Sequence, residues 1–142
     1  MTLSLGIDVG TSGVRSAVLE GSTVMSMARA VHPERTGTQV DAHDWWIAVE
    51  ACVQAQMDAL GQLGRDPKEI GAIAVDGTSG SMVLTDAQLN PVSPALMYNS
   101  KGFEAEAARI AKVAPTSHIT QGTNSALARA MRLVTLSESA PM

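Results

Sequence analysis

Residues 6–15 read GIDVGTSGVR, and residues 72–81 repeat the same design as AIAVDGTSGS. In each stretch an apolar run ends in an aspartate, Asp8 or Asp76, and a turn of glycine and hydroxyl residues follows. Short apolar runs cut by glycines are typical of strands joined by tight turns. If both strands lie in one sheet with the same polarity, both turns open at the edge where α/β sheets bind ligands.

Around the first stretch, the sequence predicts an antiparallel meander of three strands. The strands are predicted at residues 3–7, 14–19 and 23–31, with turns at 10–13 and 20–22. Alternation of apolar and polar residues along the second run supports the antiparallel hairpin. Such a meander needs a helix to cover one of its faces.

A helix is predicted to begin after Asp41, whose side chain can cap its first amides, with Asp44 near the positive end of its dipole. Gly61 or Gly64 is predicted to end it. Apolar residues recur at helical spacing and are predicted to face a core. They are Trp46, Val49, Val53, Met57 and Leu60.

The second half of the chain predicts a strand, two short strands and two helices. Residues 69–75 form an apolar run without alternation, which is typical of a strand buried on both faces in a partly parallel sheet. The preceding helix would then be a crossover. Short strands are expected at 81–85 and 95–98.

Two apolar repeats at helical spacing predict the last two helices. Their members are Phe103, Ala107, Ile110 and Val113, then Leu127, Met131 and Val134. Glu104 and Glu106 are explained by the dipole of the first of these helices, and Arg129 and Arg132 are predicted to form a solvated face of the second.

Composition places the chain among ordinary globular proteins. It has 142 residues, of which 45% are hydrophobic and 17% charged, and a net charge of −4. This charge argues against nucleic-acid binding. No run approaches the roughly 20 apolar residues of a membrane span, and the N-terminus has no basic lead, so a cytoplasmic protein is expected. Cys52 is the only cysteine, and His32, His43 and His118 match no metal-ligand spacing.

The first turn has the residue types that bind phosphate. Glycines let the backbone approach an anion, and the Thr11 and Ser12 hydroxyls can hold phosphate oxygens. Asp8 can hold hydrated Mg²⁺, and Arg15 can neutralise a transferring phosphoryl group. It is not a Walker A loop, because the lysine is missing and a strand follows. A merely structural hairpin turn is the alternative.

The second turn suits a small polyhydroxylated ligand. Thr78, Ser79 and Gly80 offer hydroxyls and exposed amides for such a ligand. Here too, a structural hairpin turn is the alternative.

Four features, in order along the chain, carry a resemblance to a known family. They are the turn at 8–12 with Arg15, the DWW triplet at 44–46, the DGTSG turn at 76–80 with Asp86, and PALMYN at 94–99. The chain resembles the FGGY sugar kinases of the actin, Hsp70 and hexokinase superfamily, and most of all their ribulose and xylulose kinase branch. The resemblance implies an α/β, ribonuclease-H-like fold: a mixed sheet with an antiparallel meander and flanking helices.

The resemblance also implies a reaction, the ATP-dependent phosphorylation of a ketopentose such as D-ribulose or D-xylulose, with ATP and Mg²⁺ as cofactors. Asp8 would engage Mg²⁺ through bound water and organise the γ-phosphate, with Arg15 beside it. Gly10, Thr11 and Ser12 would bind the phosphates. The implied sugar-binding residues are Ser12, Asp76, Thr78, Ser79, Gly80, Tyr98 and Asn99.

By this resemblance, residues 1–142 form the N-terminal part of the first of two kinase domains. The second domain and the catalytic base are expected outside this chain, which should be inactive alone. One alternative is a family kinase acting on another sugar or polyol. Another is a non-catalytic nucleotide- or sugar-binding module of the same fold. The sugar is the only partner implied, and homodimerisation is left open.

Overall fold

The computed structural model describes residues 2–34 and 40–138, which fall into two compact units. The first unit holds residues 2–34 and 43–78, and the second holds 40–42 and 79–138. In chain order the elements are β1 (Leu3–Val9), β2 (Gly13–Glu20), β3 (Thr23–Val31), α1 (Ala42–Gln62), a 3-10 turn (Pro67–Glu69), β4 (Ile70–Gly77), α2 (Glu104–Ala111) and α3 (Ala126–Glu138).

The first unit is built on a mixed four-stranded sheet in the order β3-β2-β1-β4. The pairs β1/β2 and β2/β3 are antiparallel, which confirms the predicted meander, and β4 lies parallel to β1. β1 extends two residues beyond its predicted end, and β4 also runs past the predicted one. Both Asp8 and Asp76 therefore lie within the strands rather than in the turns.

One polar strip lies inside the core between α1 and the sheet. Gln56 is fully buried and its amide donates to the Ser16 hydroxyl at 2.8 Å. The Ser16 oxygen lies 3.1 Å from the Cys52 sulfur, and the Ser26 hydroxyl donates to Gln56. These bonds satisfy a buried amide that would otherwise destabilise the fold. The apolar part of this core consists of Leu3, Leu5, Ile7, Val14, Val18, Ala48, Cys52 and Leu60.

The prediction that Trp46 belongs to the core is wrong, because 60% of its surface is exposed. The buried line of α1 comprises Asp44, Ala48, Cys52, Gln56 and Leu60. Of the predicted apolar residues, Leu60 lies on this line, and the small residues Ala48 and Cys52 let the helix approach the sheet. Trp46 lies about 200° around the helix from Ala48, on the opposite side. The end of α1 agrees with the sequence, since Gly64 adopts φ +69° just beyond it.

The prediction that β4 is buried on both faces is also wrong. Ile73 is 64% exposed and Val75 is 67% exposed, and β4 is the edge strand of the described sheet. Its parallel pairing with β1 is as predicted. A uniformly apolar run indicates which side chains favour burial, but other parts of the fold must supply the cover. Within residues 2–34 and 40–138, these two side chains have no such cover.

In the second unit, the short strands predicted at 81–85 and 95–98 are absent from the described residues. Isolated bridges join Met82 to Leu96 and Thr85 to Pro91 instead. Side chains replace part of the ladder, since the Ser93 hydroxyl accepts from the Leu84 amide at 3.0 Å. The prolines at 91 and 94 have no amide to donate, which stops a regular strand pair from forming.

The helices of the second unit bury part of each predicted stripe. Phe103, Ala107 and Ile110 are buried, whereas Val113, Leu127 and Val134 are exposed, so the apolar repeats predicted the helices but not which of their members are buried. α3 begins where the Ser125 hydroxyl accepts the Ala128 amide at 3.1 Å.

The charged residues of α2 and α3 also differ from expectation. Arg129 is only 3% exposed, and Arg132 bonds to the buried Glu106, so a solvated arginine face is wrong. Arg132 Nε and Nη2 donate to the two carboxylate oxygens of Glu106 at 2.6 and 2.8 Å. The Arg132 guanidinium also lies 5.4 Å from the Phe103 ring centre. α2 and α3 are thus joined by a bidentate ion pair between Glu106 and Arg132, whose guanidinium lies over the Phe103 ring.

This ion pair predicts a loss of stability in acid. The bond from Arg132 lowers the pKa of Glu106 below its ordinary value of about 4.3. Its stabilisation is therefore complete above that ordinary value and is lost as the pH falls through the lowered pKa. We expect Glu106→Gln to lower the melting temperature at pH 7, and the difference from wild type to shrink towards pH 3. Thermal unfolding at several pH values measures this.

The exposed Glu104, on the same helix, provides the control. Glu104→Gln should change the melting temperature little at any pH. A Glu106→Gln deficit of equal size at pH 7 and pH 3 would contradict the prediction, since the stabilisation from the ion pair falls once the pH drops below the ordinary pKa of a glutamate.

Candidate active site

The two aspartate strands end side by side at one edge of the first unit. In the parallel register of β1 and β4, Asp8 lies opposite Asp76. The Thr78 amide extends this pairing by donating to the Val9 carbonyl at 3.1 Å. Beyond it, the Thr11 and Thr78 hydroxyl oxygens are 3.2 Å apart. The expected convergence of the two turns at one sheet edge is therefore present.

Asp8 and Arg15 form the charged part of this edge. They are partners in the antiparallel register of β1 and β2, and Arg15 Nη1 donates to Asp8 Oδ2 at 3.1 Å. The Asp8 side chain is 48% exposed and that of Arg15 is 58% exposed. An exposed pair of this kind is weakly held, so both groups can rearrange around a ligand.

The first turn is closed by its own backbone. The Gly10 amide donates to the Gly13 carbonyl at 3.0 Å. Gly13 has φ +155°, and a Cβ built on it would lie 2.3 Å from the Ala30 carbonyl oxygen. Only glycine fits there, because β3 approaches the turn so closely. Thr11 and Ser12 remain exposed at the tip, where their hydroxyls can reach a ligand.

His32 supports this turn, a role that the sequence did not indicate. Its Nε2 lies 2.9 Å from the Gly10 carbonyl oxygen, and its amide donates to the Ser12 carbonyl at 3.4 Å. The cause is the β2/β3 register, which pairs Gly13 with Val31 and so places the next residue beside the turn. In the sequence alone, His32 matches no motif, so nothing there indicates this role.

The second turn begins in the first unit and continues into the second. Asp76 Oδ1 accepts the amide of Gly77 at 2.8 Å, so this carboxylate bonds to the last residue of β4, where the turn begins. Thr78 is half-buried and Ser79 is exposed. Gly80 has φ +78°, a left-handed conformation that favours glycine.

Within the second unit, Gly80 and Tyr98 are joined through Arg129. Arg129 donates to the Gly80 carbonyl from Nε and to the Tyr98 carbonyl from Nη1, both at 2.8 Å. The Tyr98 amide donates to the Ser81 hydroxyl at 3.1 Å. Tyr98 and the neighbouring Asn99 are exposed. The sequence indicated the loop residues but missed Arg129, which connects them.

Comparison with known proteins decides the family. The family model for the FGGY family of carbohydrate kinases, N-terminal domain, matches residues 3–137. The chain belongs to the FGGY carbohydrate kinases. Among curated relatives of this FGGY chain, a xylulose kinase from Streptomyces coelicolor is 30% identical over 112 residues, which cover 76% of this chain and 22% of the relative. A xylulose kinase from Arthrobacter sp. is 33% identical over 101 residues, covering 70% of this chain and 95% of that sequence.

The FGGY chain spans about a fifth of the length of the first two curated relatives it matches, at 22% and 20%. Solved structures share its fold. A xyloylose kinase from Brucella ovis superposes with a TM-score of 0.76 at 22% identity, over 96% of this chain and 29% of that one. A Plasmodium falciparum glycerol kinase with ADP gives 0.71 at 10% identity, over 95% and 29%. The predicted actin/hexokinase-like fold class is confirmed.

The side chains where β1 and β4 end suit a cation that is held through its bound waters rather than by several direct protein ligands. Within residues 2–34 and 40–138, no cluster of three or more His, Cys, Asp or Glu side chains is arranged to hold a metal ion. Asp8 offers one half-exposed carboxylate, which suits an outer contact to hydrated Mg²⁺ because this ion keeps several of its waters.

None of the described helices is long and apolar enough to cross a membrane.

Proposed function

We propose that this chain is the N-terminal part of an ATP-dependent kinase of the cytoplasm that phosphorylates a ketopentose such as D-xylulose or D-ribulose. The observation that carries the proposal is the pairing of Asp8 with Asp76 at one sheet edge, with the Thr11 and Thr78 hydroxyls 3.2 Å apart beyond them. The xylulose kinases among the relatives support the substrate class.

The first turn is assigned to the phosphates. The Gly10 backbone and the exposed Thr11 and Ser12 hydroxyls would hold phosphate oxygens, and Arg15 would balance charge on the transferring group. Asp8 would hold Mg²⁺ through its waters. When bound, that ion would neutralise phosphate charge, while Asp8 fixes its place. Positioning and charge neutralisation account for most of the rate enhancement in phosphoryl transfer.

The second turn and the 98–99 segment are assigned to the sugar. Ser12, Thr78 and Ser79 offer hydroxyls that can exchange hydrogen bonds with a polyol. Tyr98 and Asn99 are exposed and can contribute a ring face and an amide. Asp76 would keep the turn in shape through its bond to the Gly77 amide.

The base that accepts the sugar hydroxyl proton is assigned to a second domain. The first two curated relatives are several times longer than the part that matches this chain, so they have room for such a domain. A non-catalytic nucleotide- or sugar-binding module remains the competing function, because fold alone does not exclude it.

A pentulose panel tests the proposal. The complete protein encoded by the gene is incubated with ATP, Mg²⁺ and D-xylulose, D-ribulose, L-xylulose, glycerol or D-xylose, and ADP release is followed. We expect turnover with at least one pentulose and little with glycerol or the aldose D-xylose.

The competing functions give different results in the same panel. Turnover on glycerol alone would replace the proposed substrate class with a polyol. Sugar or nucleotide binding by calorimetry without ADP release would favour the binding module.

A further inference from the structure

Arg129 is the most deeply buried arginine of the described residues, and backbone oxygens surround its guanidinium. It is 3% exposed. Nε donates to the Gly80 carbonyl, and Nη1 donates to the carbonyls of Tyr98 and Asn124, at 2.8 to 3.0 Å. One planar group thus joins three chain segments within the second unit.

The bonding partners of Arg129 are unusual for a buried charge. Burying a cation is costly unless it is paired or fully hydrogen-bonded. Within the described part of the chain, no carboxylate lies within salt-bridge distance of Arg129; backbone carbonyls alone accept its bonds. Its burial therefore depends on the shape of the backbone around it.

Gly80 is also in close steric contact with the Arg129 side chain. Gly80 has φ +78°, and a Cβ placed on it would lie 2.6 Å from Arg129 Nη2. A side chain at residue 80 would displace the guanidinium as well as strain the turn. The same Cβ would lie 3.9 Å from the Tyr98 Cβ, so the three residues are in close contact.

We propose that Arg129 is a positioning residue that sets the shape of the sugar-binding loop, by holding the Gly80 and Tyr98 carbonyls on one rigid guanidinium. The inference rests on the proposed function, since Gly80 and Tyr98 belong to the sugar-binding set. Arg129 itself does not touch the sugar in this assignment. A planar fork fixes both the spacing and the angle of its acceptors, whereas a lysine ammonium fixes neither.

Arg132 provides a matched control, because it is on the same helix and also bonds between segments. Its partners are Glu106 and the Gly102 carbonyl, neither of which belongs to the sugar-binding set. Arg132→Lys should weaken packing without altering the loop. Arg129→Lys should alter the loop.

The kinetic test compares these two variants in the complete kinase. Arg129→Lys should raise KM for the preferred pentulose by about tenfold to a hundredfold, because small misplacements of positioning groups have effects of this size. KM for ATP should stay within about twofold. Arg132→Lys should leave both KM values near wild type. Millimolar guanidinium should partly restore KM in Arg129→Ala but not in Arg132→Ala.

Amide hydrogen exchange in the complete protein tests the loop without any enzyme assay. The amides of Met82, Leu96 and Tyr98 are bonded in this loop. They should exchange about tenfold faster in Arg129→Lys than in Arg132→Lys. If Arg129→Lys does not fold, Gly80→Ala replaces it, since its Cβ displaces the same guanidinium.

The outcomes separate this inference from the proposed function. An unchanged pentulose KM in Arg129→Lys, or equal KM increases in both variants, would overturn the positioning role while leaving the kinase intact. A wild-type protein without pentulose turnover would refute the proposed function. In that case, faster exchange confined to Arg129→Lys would still support the guanidinium's hold on the loop, and unchanged exchange would refute it.

Discussion

Asp8→Ala in the complete kinase is expected to lower kcat by about a thousandfold or more while leaving KM for the pentulose within about threefold. In the proposed function, Asp8 holds the hydrated cation beside the γ-phosphate. The cation must stay in place there to neutralise the phosphate charge during transfer. Its carboxylate is half-exposed at the edge, so its removal leaves no buried cavity. Steady-state kinetics with varied pentulose and ATP, together with calorimetric sugar binding, measure the effect.

Asp76→Ala is the matched control, because this residue lies opposite Asp8 in the parallel register. Its carboxylate bonds to the adjacent Gly77 amide, so its loss should loosen the second turn and raise the pentulose KM more than it lowers kcat. Near-normal turnover in Asp8→Ala would remove Asp8 from the mechanism. A purely structural role for both aspartates would lower kcat and raise KM alike in the two variants.

Gly13→Ala is expected to destabilise the chain by about 3 kcal/mol, the size typical of a steric clash combined with backbone strain. The added Cβ would lie 2.3 Å from the Ala30 carbonyl oxygen and 2.9 Å from the Val31 Cα, and neither backbone atom can move without breaking the β2/β3 pairing. Urea or thermal unfolding of the chain, followed by circular dichroism, measures the loss.

Two other glycines separate the clash from general glycine effects. Gly21 has φ +61°, and a Cβ placed on it would meet no atom within 4 Å, so Gly21→Ala should cost only about 1 kcal/mol. Gly61 lies inside α1 and is equally open, so Gly61→Ala should stabilise the chain by about 0.5 to 1 kcal/mol. A Gly13→Ala loss no larger than that of Gly21→Ala would show that the close approach of β3 does not constrain the turn.

Local patterns predicted the order of elements well. The meander, the crossover helix, the parallel β4 and both late helices follow from apolar runs and glycine turns, which depend on neighbouring residues. The errors occur where contacts come from distant residues. Trp46 matched an apolar stripe, yet small and polar residues of α1 occupy the buried line because Ser16 and Ser26 satisfy Gln56.

The candidate site shows the same division. Asp8, Thr11 and Thr78 were recognisable from the repeated turn, since each turn carries its own chemistry. His32 and Arg129 were not, because their roles come from bonds to backbone carbonyls 22 and 49 residues away in the chain. An arginine on a helix usually faces solvent, and the sequence pattern around Arg129 does not differ from that case.

By itself, the sequence determined the family, the strand-and-helix order and the pair of aspartate turns, because these depend on residue types at short spacing. Only the tertiary structure decided that Asp8 faces Asp76, that Trp46 and Val75 are exposed, and that Arg129 is buried against Gly80. Register and burial arise from contacts between residues that are far apart along the chain. A local pattern does not specify which distant residues will form those contacts.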